Sequence, residues 1–207
     1  MGSLMDYMKA YDLLGRYKIK ALRAAYVNSS KEATDFAREN KIVMKLISDK
    51  ALHKSKSGLV KLNLSTPEQI GSAFAELAKK GEALKPYKIL VQEQVGNGTE
   101  IIIGGNTDPQ FGKLILLGLG GIYVEVFKDV SVRVCPITEY DASEMINGLK
   151  SKQIMLQDQR NERIIKNLLL DVSNFLVKNP KITELDLNPI ILHDGTYDAV
   201  DLRLMEE

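Results

Sequence analysis

Apolar and polar positions alternate most sharply near the end of the chain, where Leu185, Leu187 and Ile190 interleave with Asp186 and Asn188. A second run, Tyr197 to Leu204, interleaves Asp201 and Arg203 with apolar residues in the same way. Successive strand side chains point to opposite faces, so each run predicts a strand with its polar pair on one face. His193-Asp194-Gly195-Thr196 lies between them, and Asp-Gly is reversal chemistry, so the two runs read as one antiparallel hairpin.

Earlier segments read by the same logic. Tyr7, Met8, Tyr11, Leu13 and Leu14 recur at mostly helical spacing, predicting a short helix over Asp6 to Tyr17 with Gly15 as its stop. Ala24 to Val27 reads as a strand, and Asn28-Ser29-Ser30 leads into a serine-capped helix over Lys31 to Ala37 with Glu32 close behind. Lys41 to Ile47 is a strand, Ser48 to Gly58 a polar loop, and Val60 to Leu64 a further strand. Ser65-Thr66-Pro67-Glu68 then opens a helix. Past Pro86, Lys88 to Val95 and Thr99 to Gly104 are strands about Gly96-Asn97-Gly98, while Lys113 to Leu119 and Ile122 to Val126 are strands about Gly120-Gly121. Helices follow over Asp141 to Leu149 and Arg160 to Val177. The expected architecture is mixed α+β in two halves, residues 1–87 and 88–207.

With 207 residues, 44% of them hydrophobic, the chain can bury a real core without disulfides. Its one cysteine, Cys135, lies in an apolar run and reads as a small packed thiol; a reducing cytoplasm is the expected setting. Lys plus Arg 28 against Asp plus Glu 27 leaves net charge +1, which offers no broad basic field for nucleic acid. No stretch approaches the roughly 18 uninterrupted apolar residues of a membrane span, and no signal-peptide core is seen. Anion binding must therefore be local.

The closing hairpin would gather carboxylates, a carboxamide oxygen and a guanidinium on one patch. Oxygen ligands of this kind suit magnesium beside phosphate oxygens, and a guanidinium suits a transferring phosphoryl group. A polar face that is merely wet is the other reading. Lys45, late in an otherwise apolar strand, could meet a phosphate as a mobile point charge. The loop that follows has lysines, serines and His53 and ends at Gly58, where backbone amides can approach phosphate oxygens; a solvated basic loop is the alternative. Glu93 could accept hydrogen bonds from ribose hydroxyls or make an outward salt bridge. No Walker A lysine motif or kinase catalytic loop is present, and neither glycine turn opens a helix as a dinucleotide fingerprint would.

Val43-Met44-Lys45, Leu52-His53-Lys54, Gly58 to Leu64, Val91-Gln92-Glu93-Gln94-Val95, Asp108-Pro109-Gln110-Phe111-Gly112, Gly118-Leu119-Gly120-Gly121, Lys128-Asp129-Val130, Glu184 to Pro189 and Asp201-Leu202-Arg203 together carry a likeness. From about Tyr11 to Leu204 the chain resembles the ATP-grasp β subunit of ADP-forming acyl-CoA synthetases, the acetate–CoA ligase group. The resemblance implies an ATP-grasp fold, two α/β lobes with the nucleotide cleft between them. It implies a cycle in which an acyl phosphate is made on a partner subunit and its phosphoryl group is passed through histidine to ADP. Position by position, it gives Lys45 a phosphate role, Gly58 and its neighbours the phosphate loop, and Glu93 and Glu100 the nucleotide sugar or hinge. Asn188 and Asp201 would hold Mg2+, with Asp186 behind them or as an alternate ligand, and Arg203 would touch the transferring phosphoryl group. His53 would be the β-side phosphohistidine, with the other phosphohistidine on the partner subunit, and His193, in the hairpin turn, a surface residue.

ATP or ADP is the implied nucleotide, and the implied partner is a CoA-binding α subunit in a hetero-oligomer. A non-catalytic nucleotide-sensing ATP-grasp domain is the competing function. The sequence departs from the family where Ser57-Gly58-Leu59-Val60 has one glycine in place of two, where Lys56 replaces a common acidic residue, and where Lys18-Ile19-Lys20-Ala21 replaces an Ile-Pro segment. Looser phosphate approach is expected from the first two.

Overall fold

A computed structural model describes residues 2–48, 50, 58–121 and 129–207. The chain divides into two compact units: Met1–Ala21 with Val95–Glu207, and Leu22–Gln94.

The smaller unit is a four-stranded sheet in the order β2-β5-β3-β4, with every pair antiparallel: β2 Ala24–Val27, β3 Ile42–Ile47, β4 Val60–Leu64 and β5 Lys88–Glu93. Helices α2 (Ser30–Ala37) and α3 (Pro67–Gly81) pack on one face, where Ile42, Met44, Leu46, Ile89 and Val91 meet Ala33, Ala37, Ile70, Ala73 and Leu77. Burying each of the larger aliphatic side chains contributes about 1.5–3 kcal/mol. Both helix starts follow from local chemistry. The Ser29 hydroxyl accepts the Glu32 N–H, and Thr66 and Gln69 form a reciprocal capping box ahead of Pro67.

In the larger unit the sheet path is β1-β11-β9-β6-β7-β8, with β10 also paired to β9. Its strands are β1 Ser3–Leu4, β6 Thr99–Asp108, β7 Gly112–Leu119, β8 Val130–Val134, β9 Ile182–His193, β10 Thr196–Ala199 and β11 Leu202–Glu206. Helix α1 is Tyr7–Gly15, capped by Asp6, and α4, α5 and α6 are Glu139–Asn147, Lys152–Met155 and Arg160–Lys178. The long amphipathic α6 buries Leu168, Leu169, Val172, Phe175 and Leu176. A Cβ on Gly105 would lie 2.7 Å from Leu176 Cδ1, so β6 is bare where the helix crosses it. None of the described helices is long and apolar enough to cross a membrane.

Three expectations change. The first is that Val95 to Gly98 is no hairpin turn. β5 pairs with β2 and β3, and Gln94 N–H bonds to Lys41 C=O, whereas β6 pairs with β7 and β9. Pairing partners, rather than Pro86, therefore set the unit boundary, and the first 21 residues fall with the larger unit. The second is that the run after Gly195 is two strands. β10 pairs with β9 from Ile190 to His193, and β11 with β9 from Ile182 to Leu187. The third concerns β8 and β1, which the pattern did not announce; the strand expected at Ile122 to Val126 lies outside the described residues.

Candidate functional site

The switch from β10 to β11 falls at Val200 and Asp201, opposite Asn188 and Pro189 on β9. Val200 N–H donates to Pro189 C=O at 2.9 Å, and Asn188 N–H to Asp201 C=O at 3.2 Å. The β6–β9 register shifts by one residue at the same place, between Ile101 and Ile103. Such a bulge re-aims side chains beside it. Arg203 lies directly across from Asp186, and Asp186 across from Gly104. Leu185, Leu187, Leu202 and Leu204 are buried, while Asp186 is half-buried and Asn188, Asp201 and Arg203 are exposed. The expected patch of Asp186, Asn188, Asp201 and Arg203 thus forms on the face turned away from the leucines. Asp201 Oδ1 also accepts the Leu202 N–H at 3.2 Å, which orients that carboxylate.

Among the described residues no group of three or more His, Cys, Asp or Glu could hold a metal. Two carboxylates with a carboxamide fit a different demand. Magnesium takes one or two carboxylates, substrate phosphate oxygens and several waters, so this donor set suits a Mg2+–nucleotide and not an all-protein cage.

Glu100, the second residue of β6, is exposed, while its neighbour Ile101 is fully buried; alternation puts Glu100 on the same open face as Gly104. The smaller unit holds the rest. Lys45 lies on β3 opposite Leu90 and Val60, on the face away from α2 and α3, and is only 9% exposed. Glu93, at the end of β5, is bonded to Arg23: Arg23 Nε donates to Glu93 Oε1 at 2.8 Å, and Glu93 N–H donates to Arg23 C=O at 3.0 Å. Arg23 also donates to Phe36 C=O at 2.9 Å and lies 3.9 Å above the Phe36 ring. The salt-bridging alternative for Glu93 is the one observed. The pattern gave no hint of Arg23, because its partner is 70 residues away and pairing over that span leaves no local signal.

Gly58 adopts φ +81°, and a Cβ there would fall 2.3 Å from Lys80 Nζ, which donates to Gly58 C=O at 3.0 Å. The left-handed backbone is what calls for glycine, since Lys80 Nζ ends a flexible side chain that can move aside. Lys80 is in turn paired with Glu76, and Glu76 with Lys61. Lys61, then Lys80, hold the Glu76 carboxyl below the usual carboxylate range. On the other side of the loop, Ser48 Oγ donates to Leu84 C=O at 2.6 Å. His53 and the rest of residues 51–57 lie outside the described residues.

His193 is more than a surface residue. Its Nε2 is 2.8 Å from Asp198 Oδ2, and Lys20 Nζ is 3.1 Å from Asp198 Oδ1. Asp198 is buried, so this trio secures the chain before β2 to the closing strands. Burial pushes the Cys135 thiol above its ordinary value, the reverse of what a nucleophile needs.

Comparison with known proteins bears on this arrangement. The ATP-grasp domain family matches residues 2–205. The chain is 37% identical over 204 residues to acetate–CoA ligase [ADP-forming] I of Archaeoglobus fulgidus, covering 93% of this chain and 30% of that protein. It is 33% identical over 207 residues to the β subunit of acetate–CoA ligase [ADP-forming] I of Pyrococcus furiosus, covering 95% of this chain and 89% of that subunit. Its fold is similar, with TM-score 0.83 and 34% identity, to Ca. Korarchaeum cryptofilum acetyl-coenzyme A synthetase 1 solved with coenzyme A and Mg-AMPPCP, its phosphohistidine segment pointing towards the nucleotide binding site. That match covers 99% of this chain and 93% of the solved one.

Proposed function

The chain belongs to the ATP-grasp family, and we propose that it is the nucleotide-binding β subunit of an ADP-forming acyl-CoA synthetase. The net reaction is acyl-CoA + ADP + phosphate ⇌ acid + CoA + ATP. What carries the reading is the shared sheet face of Asp186, Asn188, Asp201 and Arg203, in a chain that spans 89% of a relative of that description.

The roles follow from side-chain chemistry. Asn188 and Asp201, with Asp186 beside them, would hold Mg2+, which when bound offsets phosphate charge and fixes phosphate geometry. Arg203 contacts the transferring phosphoryl group through its planar fork of donors. Lys45 neutralises nucleotide phosphate charge, and Gly58 lets loop backbone approach phosphate oxygens. The Glu100 carboxylate accepts the hydroxyls of the nucleotide sugar. Glu93, bonded to Arg23, serves the hinge assignment and not the sugar.

His53 receives the phosphoryl group on a ring nitrogen as the bond to the acyl oxygen breaks. It then gives that group to a terminal ADP oxygen, so an N–P bond forms and breaks and no other reactant is consumed. Preorganised charge and positioning do most of the catalysis. The chain spans 30% of the Archaeoglobus ligase, and the CoA site and the acyl phosphate chemistry are proposed for a CoA-binding α partner on the strength of the Pyrococcus relative's description as a β subunit.

Co-expression with the CoA-binding chain of the same organism provides the test, with CoA release from acetyl-CoA followed with and without ADP and phosphate. Turnover that needs both chains and both co-substrates, and that is abolished by His53→Ala, is expected. ADP binding without turnover under those conditions, unaltered by His53→Ala, would favour the nucleotide-sensing reading instead.

A further inference from the structure

The glycine turn that ends β7 closes directly onto Glu100. Gly120 N–H donates to Glu100 C=O at 2.7 Å, extending the β6–β7 ladder one bond beyond the Ile101–Leu119 pair. A Cβ on Gly120 would lie 2.7 Å from Glu100 Cβ, 2.9 Å from its carbonyl carbon and 3.0 Å from its carbonyl oxygen. Two of those three atoms are backbone and cannot rotate away. Gly121 follows with φ +72°, and a Cβ there would lie 3.3 Å from Glu100 Oε2. One glycine therefore makes room for the stem of Glu100 and the next for its carboxylate, and the second also needs a left-handed backbone.

Among the described residues the Glu100 carboxylate takes part in no ion pair, in contrast to Glu93.

We infer that Gly120 and Gly121 are a seat that sets the reach of the Glu100 carboxylate, making this turn a positioning element for recognition of a ribose over a deoxyribose nucleotide. The inference rests on the nucleotide-binding reading above. A carboxylate is an acceptor only, and the neighbouring 2′ and 3′ hydroxyls of ribose are two donors that one correctly placed carboxylate can engage together. Shifting the carboxylate away from both hydroxyls forfeits that pairing while leaving base and phosphate contacts intact.

Calorimetric titration of the full chain with Mg-ADP and with Mg-2′,3′-dideoxy-ADP provides the test, on wild type, Glu100→Gln, Gly120→Ala and Gly121→Ala. Wild type should favour ADP by about 10-fold or more, the worth of charge-assisted hydrogen bonds. Both glycine variants should lose most of that preference by weakening ADP alone, as Glu100→Gln does. Gly121→Asn, a residue that tolerates the left-handed backbone, joins the series and keeps the test open if Gly120→Ala or Gly121→Ala does not fold. A structural role would weaken both nucleotides in parallel, and that result, or an unchanged preference in the folded variants, would overturn the seat. A wild type that binds both nucleotides equally would overturn the sugar contact, and one that binds neither would overturn the nucleotide reading itself.

Discussion

Glu93 closes β5 in the smaller unit and Glu100 is the second residue of β6 in the larger, a few residues on in the chain. The first is bonded to Arg23 at 2.8 Å, under the cover of a guanidinium that also stacks on Phe36. The second stands exposed on a sheet face with Asp186, Asn188, Asp201 and Arg203. Residue type alone would give both the same task. Their sheets divide them: β5 is the strand between β2 and β3, and its end meets the entry of β2, whereas β6 borders the bulged β9. The smaller unit pairs its strand-end carboxylate with Arg23, whereas the larger unit leaves Glu100 exposed near the start of β6, where the proposed nucleotide would use it.

The contrast is broken most severely at the bulge. Asp201→Asn combined with Asn188→Ala should lower turnover by about 100-fold or more, the scale for removing preorganised charge stabilisation, without a matching loss of melting temperature. Steady-state rates beside a thermal melt check this. Lys45→Met should come next, weakening ADP by about 10-fold through loss of one charge-assisted contact, as measured by calorimetry.

A finer comparison sets Glu93→Gln against Glu100→Gln. The Arg23–Glu93 pair is partly exposed, with side chains 41% and 30% accessible, so its screened worth is about 0.2–1 kcal/mol. Glu93→Gln should therefore lower the melting temperature by about 1–3 °C and leave the preference for ribose nucleotide intact; Glu100→Gln should do the reverse.

The smallest effect is on acid stability. Lys61 and Lys80 depress the Glu76 carboxyl, so the folded state holds its proton more weakly than the unfolded chain does. The resulting stability is present above the unfolded value and disappears as pH falls through the folded one. The melting difference between wild type and Glu76→Gln should be measurable at neutral pH and shrink towards zero in acid.

Much of this was legible in the chain because its causes are local. Alternation around Leu185 and Leu187 placed the polar residues of β9 on one face, and Ser29 and Thr66 marked helix starts through side-chain capping. What escaped was set by distant pairing. Glu93 and Glu100 flank a glycine-rich segment that has hairpin chemistry, and nothing within it reveals that the two strands join different sheets. The break at Val200–Asp201 falls opposite the place where β9 carries an extra residue relative to β6, a coincidence of three strands that neither run shows alone. Likewise His193 reads as a turn residue until Asp198 and Lys20 are seen around it.

The central claim is that the bulged face of β9 and β11 grips a nucleotide through a divalent cation. Electron paramagnetic resonance with Mn2+ in place of Mg2+ tests it most directly, by following the free Mn2+ signal as ADP is added to wild type and to the Asn188→Ala, Asp201→Asn double variant. A loss of free Mn2+ in wild type beyond that caused by the same ADP without protein, falling back to that protein-free level in the folded double variant, is the expected result. Equal Mn2+ uptake by both proteins would contradict the assignment.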